Sequence, residues 1–280
     1  MPTLDRRARP LLGTFVEIGL RPADPAVFAK AFERIERVQQ LMSAHAVDSD
    51  LAEISRNAHS HPVTVDAATA EVIAFSLKCA EASAGAFDPV RAGVALIHQK
   101  RRPNLADHLP DRGATWRDLE IRGHEVRASR PLALDLGGVA KGYAVDQAAA
   151  IIAAHGCSGV VNAGGDLRFI GHGERIASIR RPDAMGEFFQ IRDLPRPALA
   201  TTGSYSFSDE GGNLDLIASY DRADVSTGFS ITVFAEDCAT ADAMTKVVLN
   251  LQDARAAEVL RAFNCHALIL ESDGRFRELP

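Results

Sequence analysis

The sequence predicts an α+β fold of mixed sheets, hairpins and packed helices. Three observations lead there. Apolar stripes at helical spacing and short alternating runs follow one another without strict βαβ alternation. Several of the alternating runs face each other across hairpin turns. With 46% hydrophobic and 24% charged residues in a chain of 280, a sizeable core can form without disulfides or metals.

Residues 10 to 20 set Leu12, Thr14, Val16, Ile18 and Leu20 against Leu11, Gly13, Phe15, Glu17 and Gly19, which predicts one strand buried on much of both faces. Phe28, Phe32, Ile35, Val38 and Met42 form an apolar stripe and predict a helix over about 25 to 43. Asp50 with Glu53 reads as a helix start with its capping partner. Pro62 to Val65 reads as a short strand, and 67 to 83 as a helix ended by Gly85.

Leu119 to Ile121 and Glu125 to Ala128 flank Arg122-Gly123-His124 as a hairpin, and Leu132 to Leu136 reads as an apolar strand. A helix follows from about 140 to 155, with Gly156 ending it. Val160-Val161 reads as a strand leading into Asn162, and further strands are expected at 167 to 170, 175 to 180, 198 to 201, 214 to 219 and 229 to 235. Helices at 239 to 250 and 254 to 263, then strands at 266 to 271 and 275 to 278, complete the pattern. No linker-like stretch divides the chain, so 1–280 reads as a single domain with room for two intertwined subdomains.

The net charge of −6 and scattered basic residues argue against nucleic acid as a partner. The densest basic run, Lys100, Arg101 and Arg102, sits near His98, Asp107, His108 and Asp111 and reads as a solvated loop. Cys79, Cys157, Cys238 and Cys265 lie far apart with no CxxC, which predicts buried thiols rather than a metal or redox motif. The N-terminal segment lacks the apolar core of a signal peptide, so a cytoplasmic location is expected, or a periplasmic one if a leader has been removed. No window approaches a membrane span.

Chemistry concentrates in four blocks. Leu134-Asp135-Leu136-Gly137-Gly138-Val139-Ala140-Lys141-Gly142-Tyr143 hands an apolar segment to a helix through two glycines. Such a turn lets backbone approach a ligand and leaves amides free for an anion; Lys141 would add charge beside a phosphate, and Asp135 could accept hydrogen bonds or help hold a cation. An ordinary helix start with a surface lysine fits the same residues. Asn162-Ala163-Gly164-Gly165-Asp166 is a second glycine turn, and Ala200-Thr201-Thr202-Gly203-Ser204-Tyr205 is a turn rich in hydroxyls. In Ala241-Asp242-Ala243-Met244-Thr245-Lys246, Asp242 and Lys246 share one helix face; Asp242 suits a magnesium ion bridging phosphates, and the pair also reads as a surface ion pair. There is no GxSxG, GxGxxG or HExxH.

These blocks, in this order, resemble the FAD:protein FMN transferase (ApbE) family. Gly13-Thr14, Met42-Ser43, Asp48-Ser49-Asp50-Leu51, Asn57 and Gly85-Ala86-Phe87-Asp88-Pro89 agree with it. The resemblance spans about residues 9 to 250 and implies an ApbE-like, T-fold-like architecture. It implies an FAD site with contributions from His45, Ala86, Phe87, Asp88, Asp135, Lys141, Thr202 and Ile217. It also implies a magnesium ion held at the positions of Gly138, Asp242 and Lys246, with Asp242 and Lys246 carrying the catalysis. The implied reaction splits the FAD pyrophosphate, releases AMP and joins FMN to a Thr or Ser hydroxyl of an acceptor flavoprotein. A catalytically silent FAD-binding paralogue, or an FAD pyrophosphatase, is the competing reading.

The sequence departs from the family at two telling places. Lys246 stands where a Thr or Ser is usual, exchanging a neutral oxygen ligand for a cation. Leu214 to Arg222 holds neither histidine nor proline where the family has a His-(x)-(x)-Asp-Pro segment; Asp215 or Asp221 could compensate. Leu12, His45 and Thr202 are smaller changes. Gly113-Ala114-Thr115 resembles the Gly-Ala-Thr modification sequence of acceptor proteins, although Trp116 to Ile121 already reads as the start of a hairpin.

Overall fold

The computed structural model describes residues 4–182, 186–203, 229–271 and 273–280. In chain order its elements are β1 (Asp5–Leu11), β2 (Thr14–Arg21), α1 (Pro25–Met42), α2 (Asp50–Asn57), β3 (Val63–Thr64), α3 (Ala67–Ala82) and α4 (Pro89–His98). There follow β4 (Leu119–Arg122), β5 (Glu125–Ala128), α5 (Ala140–Ala154), β6 (Ser158–Ala163), β7 (Asp166–Ile170), β8 (Ile176–Arg180), β9 (Phe188–Arg192) and β10 (Ala198–Gly203). The last are β11 (Ser230–Ala235), α6 (Cys238–Asn250), α7 (Asp253–Ala262), β12 (His266–Leu270) and β13 (Phe276–Leu279). The described residues divide into two compact units, one built from the chain up to Glu36 and from Lys141 onward, the other from Arg37 to Ala140.

The first unit is an eight-stranded antiparallel sheet in the order β1-β2-β6-β7-β10-β11-β12-β13, with β8 and β9 as a separate pair. Strand β11 is buried along its whole length, and α6 covers one face of the sheet through its contacts with β7, β10 and β11. Its edge, β1, is exposed and rich in charge, a composition that discourages pairing with another chain. Arg7 and Arg9 lie over the rings of Phe28 and Phe32, 4.5 and 4.7 Å from their centroids, and so cover the exposed ends of the α1 stripe.

The second unit sets α2, α3 and α4 with a three-stranded sheet, β3-β5-β4. Its helices begin at side-chain caps: Ser49 accepts from Ala52 N, Asp66 from Ala68 N and Asp88 from Val90 N, each meeting an amide that the helix cannot.

The α+β expectation holds, as do the helices over 25–43, 67–83, 140–155, 239–250 and 254–263 and the 119–128 hairpin. Residues 10 to 20 are not one strand. Leu12 and Gly13 adopt φ of 56° and 71° and reverse the chain into an antiparallel pair, so only Val16, Ile18, Gly19 and Leu20 of β2 are buried. The cap of α2 is Ser49, with Asp50 inside the helix, where its Oδ2 accepts from Asp66 N and Thr69 Oγ1.

Leu132 to Leu136 pairs with no strand, because its backbone is held by other groups: Leu134 O accepts from Arg102 Nη1 at 2.8 Å, Leu132 O pairs with His108 Nε2 at 2.7 Å, and Asp135 N donates to Pro89 O at 2.9 Å. The basic run is likewise not all solvated, since Arg102 is 2% exposed. Helix α4 and strand β9 were not foreseen, and the strand expected at 214–219 lies outside the described residues. All four cysteines are buried free thiols.

Candidate active site

Four charged side chains of the first unit meet where α5 and α6 lie beside β7 and β10. Gly142, in the first turn of α5, approaches α6 so closely that an added Cβ would sit 2.3 Å from Cys238 O, so only glycine admits this helix contact. The approach brings Lys141 against Asp166 and Asp242. Lys141 Nζ donates to Asp166 Oδ2 at 2.6 Å and to Asp242 Oδ2 at 3.4 Å. Lys246 Nζ donates to the other oxygen, Asp242 Oδ1, at 2.5 Å. The two carboxylate side chains are 3% and 0% exposed, whereas Lys141 and Lys246 keep 33% and 26%. Asp242 is therefore held between two ammonium groups, with Gly142 N as a further donor at 3.4 Å.

Hydroxyls extend the cluster. Lys246 Nζ lies 3.1 Å from Thr202 Oγ1 and 3.0 Å from Thr245 Oγ1, which are themselves 2.8 Å apart. Thr245 Oγ1 donates to Asp242 O at 2.7 Å, so its lone pairs face Lys246 and Thr202.

The two carboxylates differ in how readily they take a proton. Burial raises the pKa of Asp242, but Lys141 and Lys246 together outweigh it and leave the carboxyl below its ordinary value. Asp166 has one close lysine and faces the charge of Asp242; burial first, then that charge, push it up to about 6 against the pull of both lysines. Burial disfavours the charge on Lys141, yet Asp166 and Asp242 more than offset this and raise its pKa.

A third aspartate holds the scaffold. From α5, Asp146 accepts Cys238 N at 2.9 Å and Ala239 N at 2.8 Å, while Asp237 accepts Thr240 N at 2.7 Å. The N-terminus of α6 is thus satisfied by protein groups, and its place beside α5 is fixed. Burial pushes Asp146 up to about 6, opposed by those two amides and Arg168.

In the second unit His45 is exposed, Ala86 and Asp135 are half-buried, and Phe87 is buried. Asp135 Oδ1 accepts Gly137 N at 3.1 Å, shaping the turn that contains Gly138. Asp88 is 5% exposed, and its carboxylate accepts from Val90 N, Arg91 N and Trp116 N, so this carboxylate is an N-cap that ties two segments together. Burial raises its pKa despite those amides. Thr115 caps the short 3-10 turn Trp116–Asp118 in a capping box with Asp118, in keeping with the hairpin reading of that stretch. Ile217 and the whole of Leu214 to Arg222 lie outside the described residues.

Three contributors escaped the sequence reading. Asp166 was visible as the end of a glycine turn, but its partnership with Lys141 depends on the packing of α5 against β7. Thr245 adjoins Lys246 and was read only as part of the helix. Arg102, which belongs to a basic run with the composition of a solvated loop, donates to Ala44 O at 2.7 Å and to Leu134 O at 2.8 Å, joining the loop that carries His45 to the segment that carries Asp135.

The residues do not fit a magnesium ion at Asp242. Each carboxylate oxygen already faces an ammonium, and two lysines balance two aspartates. Lys246 has only N–H donors where an oxygen ligand is needed. A dication about 4 Å from one ammonium would be opposed by about 8 kcal/mol at an effective dielectric near 20. Among the described residues no three His, Cys, Asp or Glu side chains form a ligand set.

An α+β sheet protein in which two buried aspartates share two lysines is the class that fold and site define. A family model described as the ApbE family matches residues 12–269, and the chain belongs to that family. It is 27% identical to an FAD:protein FMN transferase of Treponema pallidum over 97% of this chain and 85% of that one. It is also 27% identical to one of Vibrio cholerae over 91% and 83%. Among solved structures, it resembles the flavin transferase ApbE from Vibrio cholerae, with a TM-score of 0.79 at 24% identity, covering 98% of this chain and 96% of that one. The ApbE protein of Thermotoga maritima gives 0.77 at 24% identity with the same coverage. At these identities the structural likeness shows a shared fold. No described helix is long and apolar enough to cross a membrane.

Proposed function

We propose that this chain transfers FMN from FAD to a Thr or Ser hydroxyl of an acceptor protein and releases AMP. The observation that carries the reading is the Lys141–Asp166–Asp242–Lys246 cluster, built from three of the four blocks that define the resemblance, with Thr202 of the remaining block hydrogen-bonded to Lys246. Family membership and the names of the relatives support it.

In the reaction the acceptor oxygen forms a bond to the flavin-side phosphorus. The bond from that phosphorus to the bridging oxygen breaks, AMP departs with that oxygen, and the hydroxyl proton is released. Such a displacement needs an in-line approach and stabilisation of charge on the phosphate oxygens. Lys141 and Lys246 supply fixed positive charge, and Asp242 holds both ammonium groups in place. Thr202 and Thr245 orient Lys246. His45, Ala86, Phe87, Asp135 and the Gly137-Gly138 turn are proposed FAD contacts on the ground of the resemblance; Asp88 serves through the segment it caps.

The test is incubation with FAD and an acceptor domain carrying a Gly-Ala-Thr sequence, following AMP release and acceptor mass. AMP together with an acceptor heavier by one FMN less a water is expected. AMP without an adduct would make the protein an FAD hydrolase, and neither product would leave a silent FAD-binding paralogue.

A further inference from the structure

We infer that Lys246 is the resident cation of this site, so that the chain binds and cleaves a diphosphate diester without a divalent metal. The inference rests on the flavin-transfer reading for its substrate, but its geometry stands apart from it.

The oxygens that could ligate a hard cation are present and are turned toward nitrogen instead. Asp242 Oδ1, Thr202 Oγ1 and Thr245 Oγ1 surround Lys246 Nζ at 2.5, 3.1 and 3.0 Å. The hydroxyl protons are directed away from it: Thr245 donates to Asp242 O, and Thr202 is placed to donate to Thr245. Each of the three oxygens therefore turns a lone pair to Lys246 Nζ, which is the arrangement an ammonium needs and one a metal ion would have to break. Asp242 is 0% exposed and offers no oxygen without an ammonium beside it.

Donor geometry also leaves capacity for a ligand. The two hydroxyls, 2.8 Å apart, subtend only about 55° at Lys246 Nζ, about half the angle between two N–H bonds, so they share one of its three. Asp242 takes a second. The third has no partner among the described residues. Among the described residues Lys141 has two partners for three N–H bonds. Both side chains keep a quarter to a third of their surface open. Two spare N–H donors, on lysines joined through a single carboxylate, match two adjacent phosphates, one to each lysine.

The experiment uses chelator-stripped full-length protein, wild type and Lys246→Thr, with Mn2+ followed by electron paramagnetic resonance and inorganic pyrophosphate by calorimetry. Wild type is expected to leave Mn2+ free, to bind pyrophosphate equally well with and without chelator, and to release AMP from FAD in chelator. Lys246→Thr is expected to lose at least about tenfold in metal-free pyrophosphate affinity and to gain one Mn2+ site that restores it. A stoichiometric Mn2+ site in the wild type, or pyrophosphate binding abolished by chelator, would overturn the inference, and neither result depends on the variant folding. If AMP release fails under every condition while Mn2+ stays free and pyrophosphate binds, the flavin-transfer reading and the cleavage fall together, and Lys246 stands as the cation that binds the diphosphate. AMP release only when a divalent metal is added would overturn the inference.

Discussion

Replacing Lys141 by Met removes the charge that two buried carboxylates share while keeping a side chain of similar length. Breaking a buried pair from one side typically costs about 3–5 kcal/mol, because the remaining charge is left uncompensated. Here the penalty must depend on pH. Asp166 is held at about 6 against an ordinary value of 3.8, so its contribution to stability is complete below pH 3.8 and is lost as pH rises to about 6. At 1.36 kcal/mol per unit the loss is about 3 kcal/mol in the wild type. Lys141 is one of the charges that pull this pKa down. Without it the folded value moves above 6 and the loss continues through neutral pH. Urea unfolding of wild type, Lys141→Met and Lys141→Met with Asp166→Asn, at about pH 5, 6.5 and 8, is expected to show a gap between wild type and single variant that widens with pH. The second substitution should close most of the widening. A gap of constant size from pH 5 to 8 would refute the assignment of Asp166 as the proton-accepting member of the cluster.

Two further substitutions probe the scaffold. Asp146→Ala leaves Cys238 N and Ala239 N without acceptors at the start of α6 and is expected to lower stability by about 2 kcal/mol, read by urea unfolding; a change below about 0.5 kcal/mol would show that these amides find other partners. Arg102→Met strips Ala44 O and Leu134 O of their donor, at about 1–3 kcal/mol for each buried carbonyl left unpaired. Hydrogen exchange should quicken in the 43–46 loop and around 132–137, whereas exchange confined to residues 100–105 would contradict the joining role.

The elements that sequence made legible are those whose signal is local. The α1 stripe, the turn at Gly123 and the glycine end of α5 each follow from a few neighbouring residues. Helix α4 carries a local signal as well, a cap at Asp88 followed by Pro89 at the first helical position, but the same residues also match a binding block of the family, which masks it. The misreadings involve partners distant in sequence. Leu132 to Leu136 has a strand's composition, yet its backbone partners are Arg102, His108 and Pro89 rather than another strand. Arg102 looks solvated in a basic run, and only the carbonyls of Ala44 and Leu134 explain its burial. The site was legible as four blocks, and Lys246 was visible as a departure. That it sits among three oxygens, with Thr245 as one of them, depended on the turn of α6 against β10.

Charge counting links Lys246 to Asp166. With a threonine at 246 and a dication bound, Lys141 and the two aspartates would leave the cluster at +1. With Lys246 and both aspartates ionised, the cluster is neutral, a weak host for the two negative charges of a pyrophosphate diester. One proton restores +1, and Asp166, at about 6, is the group placed to take it. An incoming dianion raises that pKa further, so diphosphate binding at pH 7 must draw in up to one proton, and affinity must fall as pH rises above 7. Binding enthalpies of FAD measured in Mes and in imidazole, whose ionisation heats differ, should therefore diverge for the wild type and coincide for Asp166→Asn. Equal enthalpies in the wild type would mean that the site meets its ligand's charge without a proton, and that Asp166 serves only to hold Lys141.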